Sequence, residues 1–167
     1  MGHKAETQPS RRDRNGILVR PIRVSDFQFI QGLSARIDRY TVPPLYVLWM
    51  LHRFQGQLCL IAEDLAKEPL AYMLAISVGL KSGEIFVWQF ASNFRGQRLG
   101  ASISLASYIR KLVKKHGIER ITFTAVPDSP SAISIASLAD QMFGRSPTKG
   151  ARLPKFCASE REFHLLT

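Results

Sequence analysis

The chain has 167 residues, enough for one domain with a full core and too few for two of ordinary size. Hydrophobic residues make up 46% and charged ones 22%, a globular balance, and no apolar run approaches the ~20 residues of a membrane span. The formal net charge of +10 attracts nucleic acid, an acidic membrane surface or a polyanionic cofactor alike, and does not choose among them.

The opening stretch MGHKAETQPSRRDRN is polar and basic, lacks the apolar run of a secretory signal, and puts Glu6 where a myristoylation motif needs Ser or Thr. Residues 1–15 are therefore expected to form a disordered tail on a cytoplasmic protein, with a single domain over 16–167. GILVRPIR, Gly16 to Arg23, predicts a strand, and VSDFQFIQGLSARI a helix capped by Ser25 or Asp26. PPLYVLWMLHRF, Pro43 to Phe54, opens with proline where its missing N–H costs least and is apolar on nearly every side. Something must cover that helix, either the rest of the domain or a second copy in a homodimer.

Turn signals at EDLAKEP and KSGE divide the next segment into three strands, Leu58 to Ala62, Leu70 to Val78 and Ile85 to Ala91, an antiparallel meander. From Leu99, apolar residues at Ile103, Ala106, Ile109 and Leu112 predict a helix ending in Lys114, Lys115 and His116 before Gly117. RITFTAVPD predicts a strand, SAISIASLADQMFG a helix and SEREFHLL a last strand. The order is βααβββαβαβ, a mixed α/β (α+β) domain with a mostly antiparallel sheet. Cys59 and Cys157 have no partners at metal-ligand spacing and read as structural thiols; His3, His116 and His164 form no triad, and no metal is expected.

One junction stands out. NFRGQRLGAS, Asn93 to Ser102, joins an apolar strand to a basic helix through Gly96 and Gly100. It fits neither G-x-G-x-x-G nor G-x-x-x-x-G-K-[ST], but a strand, a tight loop and a helix N-terminus can still hold phosphate oxygens on free N–H groups. A plain turn with glycines for geometry and arginines in solvent is the alternative.

FRGQRLGASIS resembles the [QR]-x-x-G-x-[GA] motif of the GNAT acyl-CoA N-acetyltransferases, and the element order over roughly residues 17–166 matches as well. IFVWQFA, AVPDS and SEREFHL are most similar to the diaminobutyrate acetyltransferases of ectoine synthesis. The motif's central glycine is Arg98 here. The resemblance implies acetyl-CoA as cofactor, with N–H groups from Gln97 through Arg98, Leu99 and Gly100 to Ala101 cradling its diphosphate, Gly96 allowing close approach, and Arg95 and Arg98 adding charge-assisted bonds. It implies thioester polarisation by backbone N–H groups between Trp88 and Ala91, that is Trp88, Gln89, Phe90 and Ala91. In a regular strand Trp88 and Gln89 point to opposite faces, so Trp88 is either pocket wall or core filler.

The resemblance further suggests Glu84 as a general base acting through water; the alternative is a plain turn residue. Tyr40, Tyr46 and Trp49, together with Trp88, are expected to enclose the acceptor amine, with His52 in the same segment. Ser129 and Ala136 occupy the positions of the family's Asn and acidic Tyr, leaving Ser134 or Ser137 as substitutes. RYTVPPLYVLW replaces the usual Asn-Ser pair of the diaminobutyrate enzymes. The function expected is acetyl transfer to a small primary amine, best L-2,4-diaminobutyrate, in a homodimer with no membrane and no nucleic-acid partner. The rivals are a basic binding module on an inactive fold, and an enzyme for peptide or protein amines.

Overall fold

The computed structural model describes residues 13–37, 40–78, 83–152 and 160–167. The expected tail up to Arg12, with His3 and Glu6, and Cys157 lie outside the described residues. The strands are β1 (Leu18–Pro21), β2 (Leu60–Glu63), β3 (Pro69–Ser77), β4 (Glu84–Ser92), β5 (Arg120–Ala125), β6 (Thr148–Arg152) and β7 (Arg161–Leu166). The helices are α1 (Phe27–Ser34), α2 (Leu45–Phe54), α3 (Phe94–Leu99), α4 (Ala101–His116) and α5 (Pro130–Phe143).

One seven-stranded sheet runs β1-β2-β3-β4-β5-β7-β6. Neighbours are antiparallel except β4 and β5, which run parallel and are joined through α3 and α4, the crossover that a parallel pair requires. Leu105, Ile109 and Val113 of α4 and Ala139 of α5 pack on one face of the sheet. Phe27, Ile30 and Leu33 of α1, with Leu48 and Leu51 of α2, pack on the other. The result is three layers with a core on either side of the sheet.

The expected elements are present, with three corrections. The helix predicted from Leu99 begins at Ala101, and its buried stripe is Ala101, Leu105, Ile109 and Val113; Leu99 and Ile103 are exposed. Asp26 does not cap α1 with its side chain. Its carboxylate turns inward to Arg20 (2.7 and 2.9 Å), whose Nε donates to Glu63 (2.7 Å), so three buried charges tie β1, β2 and the start of α1 together. This pairing explains why β2 runs on to Glu63, a residue that hydropathy alone leaves outside a strand. Finally, β6 was not anticipated: TKGAR has no apolar alternation and is held by its ladder to β7.

Residues 13–15, assigned to the tail from sequence, join the fold. The Asp13 carboxylate accepts from the N–H groups of Asn15 and Ile17 and from Ser104 Oγ in the first turn of α4, while Asn15 Nδ2 donates to the Leu99 carbonyl (3.3 Å).

Candidate active site

β4 and β5 pair only over Glu84–Val87 and Arg120–Phe123. Beyond Val87 the two strands part. On the β3 side, the ladder shifts between Leu74↔Gln89 and Ala75↔Val87, leaving Trp88 as an extra residue in β4. This bulge overturns the strict alternation expected of Trp88 and Gln89. Trp88 packs against the α1–α2 core, and Gln89, buried on the same face, accepts from Tyr72 Oη (2.9 Å) and Ser34 Oγ (3.4 Å) and donates to the Thr41 carbonyl (2.6 Å). Neither side chain lines the cavity described below. Gln89 instead pins the segment carrying Tyr40 against β4.

Tyr40 completes that attachment, its hydroxyl donating to the Phe90 carbonyl (2.8 Å). Burial pushes the Tyr40 phenol above its ordinary pKa, so it remains a donor through neutral pH. Since the N–H and C=O of one strand residue point the same way, the Phe90 N–H is turned to the same open edge. The Asn93 N–H bond to the Leu70 carbonyl (2.9 Å) agrees with this phasing: Ala91 and Asn93 face β3, Phe90 and Ser92 face away.

At this open edge lies a cavity of about 550 Å³, within the ~300–1,000 Å³ usual for ligand sites. Phe90, Ala91 and Ser92 of β4, Gln97 of α3, Ser102 of α4, Ser134 of α5 and Tyr40 line it. Ser92, Ser102, Ile37, Ile135 and Leu138 were not anticipated, because no local pattern marks a residue as facing the gap between two strands. Ser134 was one of the two substitute hydroxyls considered; Ser137 is exposed outside the cavity.

The glycine loop differs from expectation. Asn93 Oδ1 accepts from Gly96 N (2.6 Å) and caps a six-residue helix, α3, where a tight loop was expected. Arg98, a good helix former in the position of a glycine, favours this coiling. The Gln97 N–H already donates to Asn93 (2.9 Å) and the Gly100 N–H to Gln97 (3.2 Å), so these groups are not free for a ligand. The donors left over by the α4 ladder lie one turn further on, where Ala101 is fully buried and Ser102 lines the cavity. Gly100, at φ 74°, breaks the helix, and the ladder of α4 begins with Ser104 N to Gly100 O (3.1 Å). Ala101, Ser102 and Ile103 have no carbonyl within α4 to receive their N–H groups.

Other predicted residues sit outside the cavity. A Cβ on Gly96 would stand 2.5 Å from the Leu70 carbonyl oxygen, so this glycine seats α3 on β3. Arg95 is exposed and paired with Asp64 (2.6 Å), and Arg98 lies over the Phe94 ring (5.6 Å). Ser129 caps α5 by accepting from Ala132 N (3.2 Å). Tyr46 and Trp49 are exposed on α2 and stack on each other (6.1 Å). His52 bonds to the Ile22 carbonyl (3.1 Å). Glu84 begins the paired half of β4, six residues and roughly 20 Å from Phe90 at a strand rise of about 3.3 Å. Its carboxylate accepts from Thr122 and lies 3.9 Å from Arg120. Among the described residues no group of side chains could hold a metal ion, and no helix is long and apolar enough to cross a membrane.

No family model matches this sequence, and no curated protein does. Solved structures do match in shape. Ard1 from Thermoplasma volcanium superposes with a TM-score of 0.72 at 12% identity, covering 90% of this chain and 97% of that one. The diaminobutyrate acetyltransferase EctA from Paenibacillus lautus, in complex with L-2,4-diaminobutyric acid and coenzyme A, gives 0.71 at 19% identity, covering 89% and 93%. An acetyltransferase of the GNAT family from Staphylococcus aureus Mu50 gives 0.66 at 14% identity, covering 90% and 98%. The chain has the GNAT acetyltransferase fold.

Proposed function

We propose that this protein is an N-acetyltransferase that moves the acetyl group of acetyl-CoA to a primary amine of a small molecule, with L-2,4-diaminobutyrate as the leading acceptor. The observation that carries the reading is the 550 Å³ cavity between the open edge of β4 and the first turn of α4. The EctA structure similar to this chain holds both that amine and coenzyme A.

The residues fit such a cofactor. When bound, acetyl-CoA supplies an activated thioester. The N–H of Ser102, at the positive end of a sixteen-residue helix and on the cavity wall, suits its diphosphate. The Phe90 N–H is turned to the edge where a donor would stabilise an oxyanion, and the Tyr40 bond to the neighbouring carbonyl holds that stretch of backbone in place. Arg98 lies over Phe94 and does not line the cavity, which supports the enzyme reading over a binding module in which that arginine blocks the cofactor.

Amine deprotonation follows from the lining. A lysine-like amine of pKa about 10.4 costs roughly 4.6 kcal/mol to neutralise at pH 7. Among the described residues that line the cavity there is no carboxylate, imidazole or ammonium, and Glu84 lies on the paired half of β4, not placed to take the proton directly. Water accepts it, and the partial burial of the amine among Ile37, Phe90, Ile135 and Leu138 favours its neutral form. Ser134 is the hydroxyl in reach of a departing thiolate, which at a pKa near 8.5 needs little help.

Calorimetry with acetyl-CoA, then thiol release across a panel of diamines, tests the reading. Binding with turnover of diaminobutyrate supports it; absence of acetyl-CoA binding sinks it. Tyr46 and Trp49 face outward and leave the site less enclosed than expected, which favours a peptide amine as the second acceptor class; turnover of peptides but not diamines would select it. The exposed Leu45, Tyr46, Trp49 and Phe54 of α2 also support a homodimer, which a monomeric mass in sedimentation would rule out.

A further inference from the structure

Beneath the candidate site, on the face of the sheet covered by α4 and α5, lies a smaller cavity of about 80 Å³. Its lining is wholly apolar. Val87 and Phe123, the last facing pair before β4 and β5 part, belong to it, as do Ala106 of α4 and Ala139 of α5. Phe90, Ile135 and Leu138 line this cavity and the larger one alike, so the two adjoin at the Phe90 ring. The origin of the void is local. Where two strands diverge the sheet supplies fewer side chains to the wedge, and both helices place alanine there where a larger residue would fill it. Protein interiors are otherwise packed as densely as organic crystals, and a pocket lined only by apolar side chains favours apolar guests.

We infer that this cavity takes the hydrocarbon tail of an acyl group longer than acetyl, so that the substrate class extends to propionyl- and butyryl-CoA. The inference rests on the acyltransferase reading above. With the acyl carbonyl at the Phe90 N–H, the carbons beyond it meet the side chain that borders the void. The reaction is unchanged in form: the amine nitrogen bonds to the carbonyl carbon as the carbon–sulfur bond breaks, the nitrogen's proton passes to water, and the electron pair leaves with the thiolate. Each buried methylene strengthens binding about fourfold. A tail ending in a carboxylate is disfavoured, because the wholly apolar lining offers its charge no partner.

The test is calorimetry on the full chain with CoA, acetyl-CoA, propionyl-CoA and butyryl-CoA, followed by turnover of each thioester. Affinity is expected to rise roughly fourfold per added methylene. Ala139→Val, which fills the void, should lower the butyryl-to-acetyl affinity ratio about tenfold; Ala106→Val, from the other helix, serves if the first variant misfolds. If acetyl-CoA binds and the longer thioesters bind more weakly, or if both valines leave the ratio as it was, the inference is overturned and the acetyltransferase reading stands. If neither CoA nor any thioester binds, both fall.

Discussion

From Glu84 to Val87, β4 lies between β3 and β5 with partners on both sides; from Trp88 to Ser92 it pairs with β3 alone. The paired half places Glu84 among Thr122 and Arg120, groups that satisfy one another. The open half places Phe90, Ala91 and Ser92 on the lining of the cavity, with Gln89 and Tyr40 holding a separate segment against it. A polar side chain on the paired half finds its partners within the sheet. On the open half, backbone groups are left for something else to bond, and the surroundings are organised around that vacancy in the ladder.

Alkaline titration should produce the largest effect, and it separates the halves. Burial pushes the Cys59 thiol from 9.0 up to about 11 and the Tyr72 phenol from 10.0 up to about 12. Both groups hold their protons more tightly folded than unfolded, so their contribution is whole below about pH 9 and is lost as pH rises through 11 for Cys59 and 12 for Tyr72. Cys59 donates to Ala75, which faces Val87, whereas Tyr72 faces Ala91. Cys59→Ala should therefore remove the earlier part of the alkaline loss and Tyr72→Phe the later part, read as Tm against pH.

Gln89→Leu comes next. It leaves the Thr41 carbonyl without its amide donor and Tyr72 without one acceptor, a loss of about 2 kcal/mol by denaturant titration. Tyr40→Phe removes a single bond to Phe90; about 1 kcal/mol of stability should go, with a fall in kcat/KM of roughly fivefold. Glu84→Gln should do least. An ion pair at 3.9 Å to a half-exposed arginine contributes no more than about 0.5 kcal/mol, and kcat/KM should climb with pH alike in the variant and the unaltered chain. A variant that loses activity selectively near neutral pH would return the base role to Glu84 and erase the contrast between the halves.

Much of this architecture was legible in the residues. Apolar periodicity and turn signals located α1, α2, α4 and α5 and the strands other than β6, with Lys114, Lys115, His116 and Gly117 ending α4 as expected. Tyr40, Phe90, Ala91 and Gln97, all named from sequence, meet in the cavity. What escaped depends on partners far along the chain. The bulge at Trp88 exists only in register with β3, and β6 only against β7. Gly96 looked like room for a ligand, but the Leu70 carbonyl that requires it is 26 positions earlier (96 − 70 = 26). Arg95 looked like a phosphate contact until folding brought Asp64 beside it.

The extra residue at Trp88 also bears on how such a chain can diverge. Deleting that one codon would make the pairs Leu74↔Gln89 and Ala75↔Val87 consecutive and keep every remaining residue of β4 on its present face, at the loss of the Trp88 ring, whereas deleting a paired residue of β4 instead would flip one flank relative to the other. The bulge is thus the one place where this strand can change length by a residue without exchanging the groups that face the cavity and the core.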